Sequence, residues 1–169
     1  MENFKAYLQG GDLRSIAKVD ELIEQIKTKK EFELLFQYLY SKNRLIVMCA
    51  VDAIEKITLK NPNFLTDHNH DIINLMKTAI DKELKWHLAL LASRISLSSE
   101  ELKIVWDQLK KWVKNKKESK IVRVNSIQSL YNLLQQHKSL KEDFDLIINE
   151  IKNENIPSMI SRLRKLKIE

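Results

Sequence analysis

Two glycines and two prolines in 169 residues leave this chain with almost no turn chemistry. A sheet protein of this length needs such residues at every hairpin, so their scarcity excludes a β-rich fold and points to helices with short links. The only adjacent glycines, Gly10-Gly11, follow no strand pattern, which excludes a glycine-rich phosphate loop. A single cysteine, Cys49, cannot form an internal disulfide; set in an apolar run, it reads as a small buried hydrophobe in a reducing compartment. No apolar run approaches the roughly 18 residues that span a bilayer, and no charged–apolar–small leader opens the chain. A cytoplasmic protein without membrane contact is therefore expected.

A hydrophobic fraction of 44% and a charged fraction of 31% suit a folded domain rather than a disordered segment. Residues 1–169 are expected to form a single domain, since no linker or shift in composition divides them. The net charge of +6 is modest and mostly lysine. Biased base composition of the coding sequence explains it better than a nucleic-acid or acidic-partner role does.

An internal period organises the chain. An apolar–basic–x–x–small stretch recurs about every 33–38 residues. Its copies are Leu13-Arg14-Ser15-Ile16-Ala17, Ile46-Val47-Met48-Cys49-Ala50, Leu84-Lys85-Trp86-His87-Leu88 and Val122-Arg123-Val124-Asn125-Ser126, with a degraded Met159-Ile160-Ser161-Arg162-Leu163. Apolar stripes at helical spacing lie between and within the copies. After a short first helix in residues 2–8, Asp12 is placed to cap a helix running to about Ile26. Phe32, Leu35, Phe36 and Leu39 form the next stripe, followed by Ile46, Ala50, Ala53, Ile54 and Ile57 before Asn61-Pro62-Asn63 breaks the chain. Ile72, Met76, Ala79 and Ile80 pair with Leu84, Leu88, Leu91 and Ile95.

Ser98 and Glu101 have capping-box spacing ahead of Leu102, Val105, Trp106, Leu109, Trp112 and Val113. That helix pairs with one from about Glu118 to Gln136, with Ile127, Leu130 and Leu134 inward. Ser139 and Glu142 repeat the capping-box spacing before Phe144, Ile147, Ile148 and Ile151, and Pro157 starts the last helix. The reading is all-α: a right-handed solenoid of about five antiparallel helix pairs, each too thin to bury its own stripe.

These pairs resemble HEAT repeats, whose second helix opens with such an apolar–basic–x–x–small motif. The resemblance covers essentially the whole chain and is carried by the copies at Leu13, Val122 and Leu84 and by the step Asp52-Ala53-Ile54. Val47 and Ile160 stand where a basic residue belongs, and Leu88 and Leu163 where a small one does. The resemblance implies a curved scaffold whose concave face, built by the second helices, binds another macromolecule. It implies no reaction and no cofactor.

On that face, helical-wheel register places Arg44, Met48, Asp52 and Glu55, then Trp86, Leu90 and Ser93, then Lys120, Val124, Gln128 and Tyr131, and last Ser161, Arg164 and Lys165. The basic motif positions Arg14, Lys85 and Arg123 would flank it. Aromatic residues among cations are the composition of a binding hot spot. The proposed contacts are thus Trp86, Tyr131, Arg44, Asp52, Glu55, Lys85, Arg123, Gln128 and Arg164. Trp86 could equally pack between repeats, and packing is the stronger reading for Met48 and Val124.

Other constellations are weaker. Asp67-His68-Asn69-His70-Asp71 contains metal-ligand types, but its spacing suits a helix cap better than a zinc or nickel site. His87 has no nucleophile to serve, although Asp52 or Glu55 could orient it. The lysines from Lys110 to Lys120 read as a solvated surface rather than a phosphate track, because Trp112 belongs to the core stripe. The leading expectation is a non-enzymatic, monomeric adaptor for a protein partner. Nucleic-acid binding on a scaffold similar to that of HEAT-type DNA glycosylases is the alternative, with Trp86, Asp52 and Arg123 as its nearest candidates. A regulatory subunit of a larger enzyme is a third possibility.

Overall fold

The computed structural model describes residues 4–9 and 18–168. The Gly10-Gly11 break, the Asp12 cap and the first motif copy with Arg14 lie outside the described residues. Ten α-helices and no strand occur among the described residues, as the shortage of turn residues implied. None of these helices is long and apolar enough to cross a membrane. The chain divides into two compact units, Met1–His68 and Asn69–Glu169.

In the first unit, helices α1 (Lys5–Leu8), α2 (Val19–Gln25) and α3 (Lys29–Phe36) all pack on α4 (Arg44–Lys60). α4 is apolar on nearly every side, with Ile46, Met48, Cys49, Ala50, Val51, Ala53, Ile54 and Ile57 buried. A helix of that pattern must be surrounded by others. Asn43 caps it, its Oδ1 accepting from the Leu45 amide at 3.0 Å, and Asn61-Pro62 ends it. α3 begins at a complete capping box, in which Thr28 and Glu31 satisfy each other's amides. Hydrogen bonds from the Lys27 amide and then the Thr28 amide hold the Glu31 carboxyl below its usual range.

The second unit holds α5 (Asn69–Thr78), α6 (Lys82–Ala92), α7 (Ser99–Lys114), α8 (Lys120–Gln136), α9 (Lys141–Glu154) and α10 (Pro157–Lys165). Its hub is α8, which packs against α6, α7, α9 and α10. α8 is far less apolar than α4, yet Arg123, Asn125, Ser126 and Ser129 are buried on it. Small polar side chains let neighbouring helices approach, and most are satisfied within the helix: Ser129 Oγ donates to the Asn125 carbonyl (3.0 Å) and Asn125 Nδ2 to the Ile121 carbonyl (2.9 Å). Ser126 Oγ is buried without a partner among the described residues. Trp106 and Trp112 are core residues of α7, each 4% exposed.

The Ser98–Glu101 capping box forms as its spacing demands, and Pro157 occupies the first turn of α10. Two local expectations are corrected. α5 stops at Thr78, so Ala79 and Ile80 belong to the link; Ile80 is 87% exposed, because the chain must extend at Asp81 (φ −72°, ψ 134°) before α6. The Ser139–Glu142 box does not form either. A 3₁₀ turn over Lys138–Leu140 runs straight into α9, and the Leu140 amide is taken by the His137 carbonyl at 3.1 Å.

Candidate functional site

The basic position of the recurring motif is a structural clamp. Arg123, in the first turn of α8, is 2% exposed. Its Nε donates to the Val113 carbonyl (2.7 Å), and one terminal nitrogen donates to both carboxylate oxygens of Glu154 (2.8 and 2.9 Å). Val113 lies in the last turn of α7, where carbonyls have no intrahelical partner. The guanidinium thus closes α7 with positive charge at its negative end while neutralising a carboxylate at the end of α9. The hydrogen bond from Arg123 holds the Glu154 carboxyl below its usual range.

Lys85 does the corresponding work one repeat earlier. It reaches Glu118 at 2.6 Å, with side chains only 16% and 10% exposed. Glu118 precedes the α8 cap Ser119, and Glu154 precedes the link into α10, so both acids stand just before the next second helix. Lys85 and Arg123, expected to flank the groove, are thus each engaged by a carboxylate of the chain itself. A buried guanidinium requires a paired anion, and that pairing removes it from the surface.

A second ladder runs along α6, α8 and α10. Ser93 Oγ accepts from Asn132 Nδ2 at 3.2 Å, and Gln136 Nε2 donates to the Ser93 carbonyl at 3.1 Å. Gln128 donates to Asn132 Oδ1 (2.9 Å) and accepts from Arg162 (2.7 Å). Burial lowers the pKa of Arg162, while Arg164 is exposed and takes no place in this ladder. Gln128, which the register reading put on the groove face, lies in this ladder with Asn132 and Arg162, which that reading did not select. Their four-residue offsets along α8 and within the degraded last motif were the available signal.

The aromatic candidates are half-buried. Trp86 stacks on His87, and Tyr131 lies 6.3 Å from the ring of Phe144, centroid to centroid. His87 is 2% exposed, and its Nδ1 donates to the Glu83 carbonyl one turn back at 2.7 Å, a structural use of the ring. In the first unit, Arg44 is exposed, Met48 is buried, and Asp52 and Glu55 are each only 9% exposed. Asp52 pairs with Lys56 at 3.0 Å, and Lys56 also reaches Asp20 at 3.1 Å. Burial opposes charge on Lys56, but hydrogen bonds to Asp52 and Asp20 outweigh it and raise its pKa. Burial, followed by the nearby Asp52, pushes the Cys49 thiol up, away from reactivity.

The acidic–histidine segment does not converge. His68 stacks on Phe36 (3.8 Å) and bonds Glu33 through Nε2 (3.0 Å); Asp67 pairs with Lys29 (3.6 Å), and the His70 ring meets Asn74 (3.1 Å). Among the described residues no three histidine, cysteine or acidic groups are placed to share a metal ion. The lysine run is partly structural. Lys110 and Trp106 Nε1 both donate to Asp143 Oδ2 (2.8 and 2.7 Å), and Lys114 reaches Glu150 (2.7 Å). The hydrogen bond from Lys110, then that from Trp106, lowers the Asp143 pKa. Lys111, Lys116, Lys117 and Lys120 are exposed.

Several of these tethers join residues one repeat apart: 33 residues for Lys85–Glu118, 34 for Gln128–Arg162, 37 for Trp106–Asp143. That is the bonding expected when each helical pair rests on the next. No curated protein and no solved structure gives a significant match to the chain. A family model described as the HEAT repeat domain matches residues 11–168, nearly the whole chain and all of the motif copies. With the sequence period, the ten helices and the period-spaced tethers in agreement, the chain belongs to the HEAT repeat family.

Proposed function

We propose that the chain is a non-enzymatic scaffold that docks a protein partner on the face shared by α6, α8 and α10. HEAT repeats generally serve as helical scaffolds for protein interactions. The observation that carries the reading is the pair of half-buried aromatics, Trp86 on α6 and Tyr131 on α8, on helices cross-linked by the Ser93–Asn132–Gln128–Arg162 ladder. Rigid, partly exposed aromatics on a braced surface are the usual anchors of a protein interface. Nucleic-acid binding is the weaker reading, because Arg123, Lys85, Lys110 and Lys114 are all engaged by carboxylates of the chain itself.

The test is affinity capture of the partner, followed by binding titrations with Trp86→Ala and Tyr131→Ala. At least one substitution should weaken binding by about 2 kcal/mol, the scale of an anchor residue. Unchanged affinity in both would refute the assignment of this face. A parallel salt series with labelled duplex DNA should show no affinity beyond weak, salt-sensitive association.

A further inference from the structure

We propose that the cavity at the C-terminal end of α8 receives an acidic peptide segment, with one apolar side chain inserted beside Tyr131 and carboxylates met by Lys138, Lys141 and Lys167. The proposal rests on the scaffold reading and gives the partner's chemistry. The cavity has a volume of about 610 Å³ and lies wholly within the unit 69–169. That is within the range of sites that enclose a ligand group, about 300–1,000 Å³.

Its walls are of two kinds. Leu134 and Phe144 form an apolar floor, 4% and 2% exposed, with half-buried Tyr131 and Ile168 beside them. The three lysines and one acid, Asp145, stand around it, all lysines exposed. Asp145 is paired with Lys141. Among the described residues Lys138 reaches the neutral Gln135 side chain, at 3.1 Å, and no carboxylate, so the described surround keeps a positive excess. An apolar floor inside a cationic surround matches an apolar residue flanked by carboxylates.

Lys167 gives a second, independent observation. Its φ is 57°, in the left-handed region, where it terminates α10; its amide bonds the Arg164 carbonyl at 3.0 Å and the next amide bonds the Leu163 carbonyl at 3.0 Å. Glycine or asparagine is the ordinary choice at such a helix end, and lysine carries a steric cost there. A strained residue whose side chain lines a cavity suggests a use for that side chain. A single-stranded nucleic acid fits less well. Phe144 offers no open ring face for a base to stack on, and Asp145 would repel phosphate.

The experiment uses the full chain and fluorescein-labelled peptides Glu-Glu-X-Glu-Glu, with X as Leu, Phe or Trp, beside matched peptides carrying Gln for Glu. Anisotropy should show at least one Glu peptide binding well above its Gln counterpart, and weakening as salt is raised. Lys138→Ala and Lys167→Gly should each weaken it roughly two- to fivefold, the scale of exposed ion pairs. Lys167→Gly relieves the left-handed turn while deleting the charge, so lost binding cannot come from misfolding. Asp145→Asn should tighten binding, because it removes the opposing charge.

Equal binding of the Glu and Gln sets, or indifference to both Lys167→Gly and Asp145→Asn, overturns the proposal. Displacement of the peptide by an oligonucleotide that binds more tightly, or self-association abolished by Lys167→Gly, overturns it in favour of a nucleic acid or a second copy. Should a captured protein partner be lost with Trp86→Ala yet bind undiminished to Lys167→Gly, the scaffold reading stands and the acidic pocket falls.

Discussion

Neutralising one carboxylate, Glu154→Gln, probes the clamp without changing its shape. In the native chain Arg123 is 2% exposed and makes three hydrogen bonds, two of them to the Glu154 carboxylate. Bonds to a charged group contribute about 1.5–3 kcal/mol and neutral ones about 0.5–1.5 kcal/mol, so the amide, which keeps one acceptor oxygen, would forfeit roughly 2–4 kcal/mol across the pair. Arg123 is then left buried without its counter-ion, which alone can cost about 3–5 kcal/mol where water is excluded. Glu154 is 17% exposed, so water reaches part of the site and pulls the total to about 2–3 kcal/mol.

The companion Arg123→Met deletes the cation, leaves the Val113 carbonyl without its donor, and returns part of the loss as buried apolar surface. Combined, the two substitutions should cost less than the sum of the singles by about 1–3 kcal/mol, since each removes the same interaction. Urea unfolding followed by tryptophan fluorescence measures all four corners of the cycle. Hydrogen exchange should show protection falling first in α9 and α10, whose attachment to α8 the clamp secures, and last in α6. Additivity within about 0.5 kcal/mol would refute the clamp.

Other outcomes follow from the same geometry. Ser98→Ala should cost about 1 kcal/mol, because the α7 capping box loses its amide acceptor, and thermal unfolding will read it. Asp143 and Glu154 have lowered pKa values, so their stabilisation is complete above the ordinary carboxylate value of about 4 and is lost as pH falls through the lower folded values. Asp143→Asn should therefore flatten the acid limb of a stability–pH curve, and an unchanged limb would exclude that pair as a contributor. Trp106→Phe keeps the ring in the core but removes the donor to Asp143, for a loss of about 1 kcal/mol measured by urea unfolding.

Legibility in the sequence varied with the range of the interaction. Signals confined to one turn were readable: Ser98 with Glu101, Pro157 at the start of α10, and the α7 stripe that buries Trp106 and Trp112. Even so, the same spacing at Ser139 misled, because a 3₁₀ turn delivers the chain into the helix with the Leu140 and Lys141 amides already bonded to backbone. Thr28-Lys29-Lys30-Glu31 carried an equally clear capping signal that the apolar stripe of Phe32 and Leu35 overshadowed. The stripe through Ala79 and Ile80 could not reveal its own end, since nothing local announces where a three-residue link must extend. Beyond one turn, periodicity identifies equivalent residues but not their partners. Arg123 meets an acid 31 residues away, and only the packing of α8 against α9 and α10 brings it there.

That difference changes where recognition should be sought. A residue type that recurs from one repeat to another is best explained by what those repeats share, namely attachment to the next. Lys85 and Arg123 meet that need, and Gln128 and Arg162 meet it on a second ladder. A partner, however, meets one particular surface, and the side chains that distinguish it should have no counterpart a repeat away. Trp86 is aromatic where the equivalent positions hold Met48, Val124 and Ser161. Lys167 holds a left-handed turn that no other described lysine adopts. The departures from the repeat, more than the repeat itself, are where substitution should alter binding while leaving the stack intact.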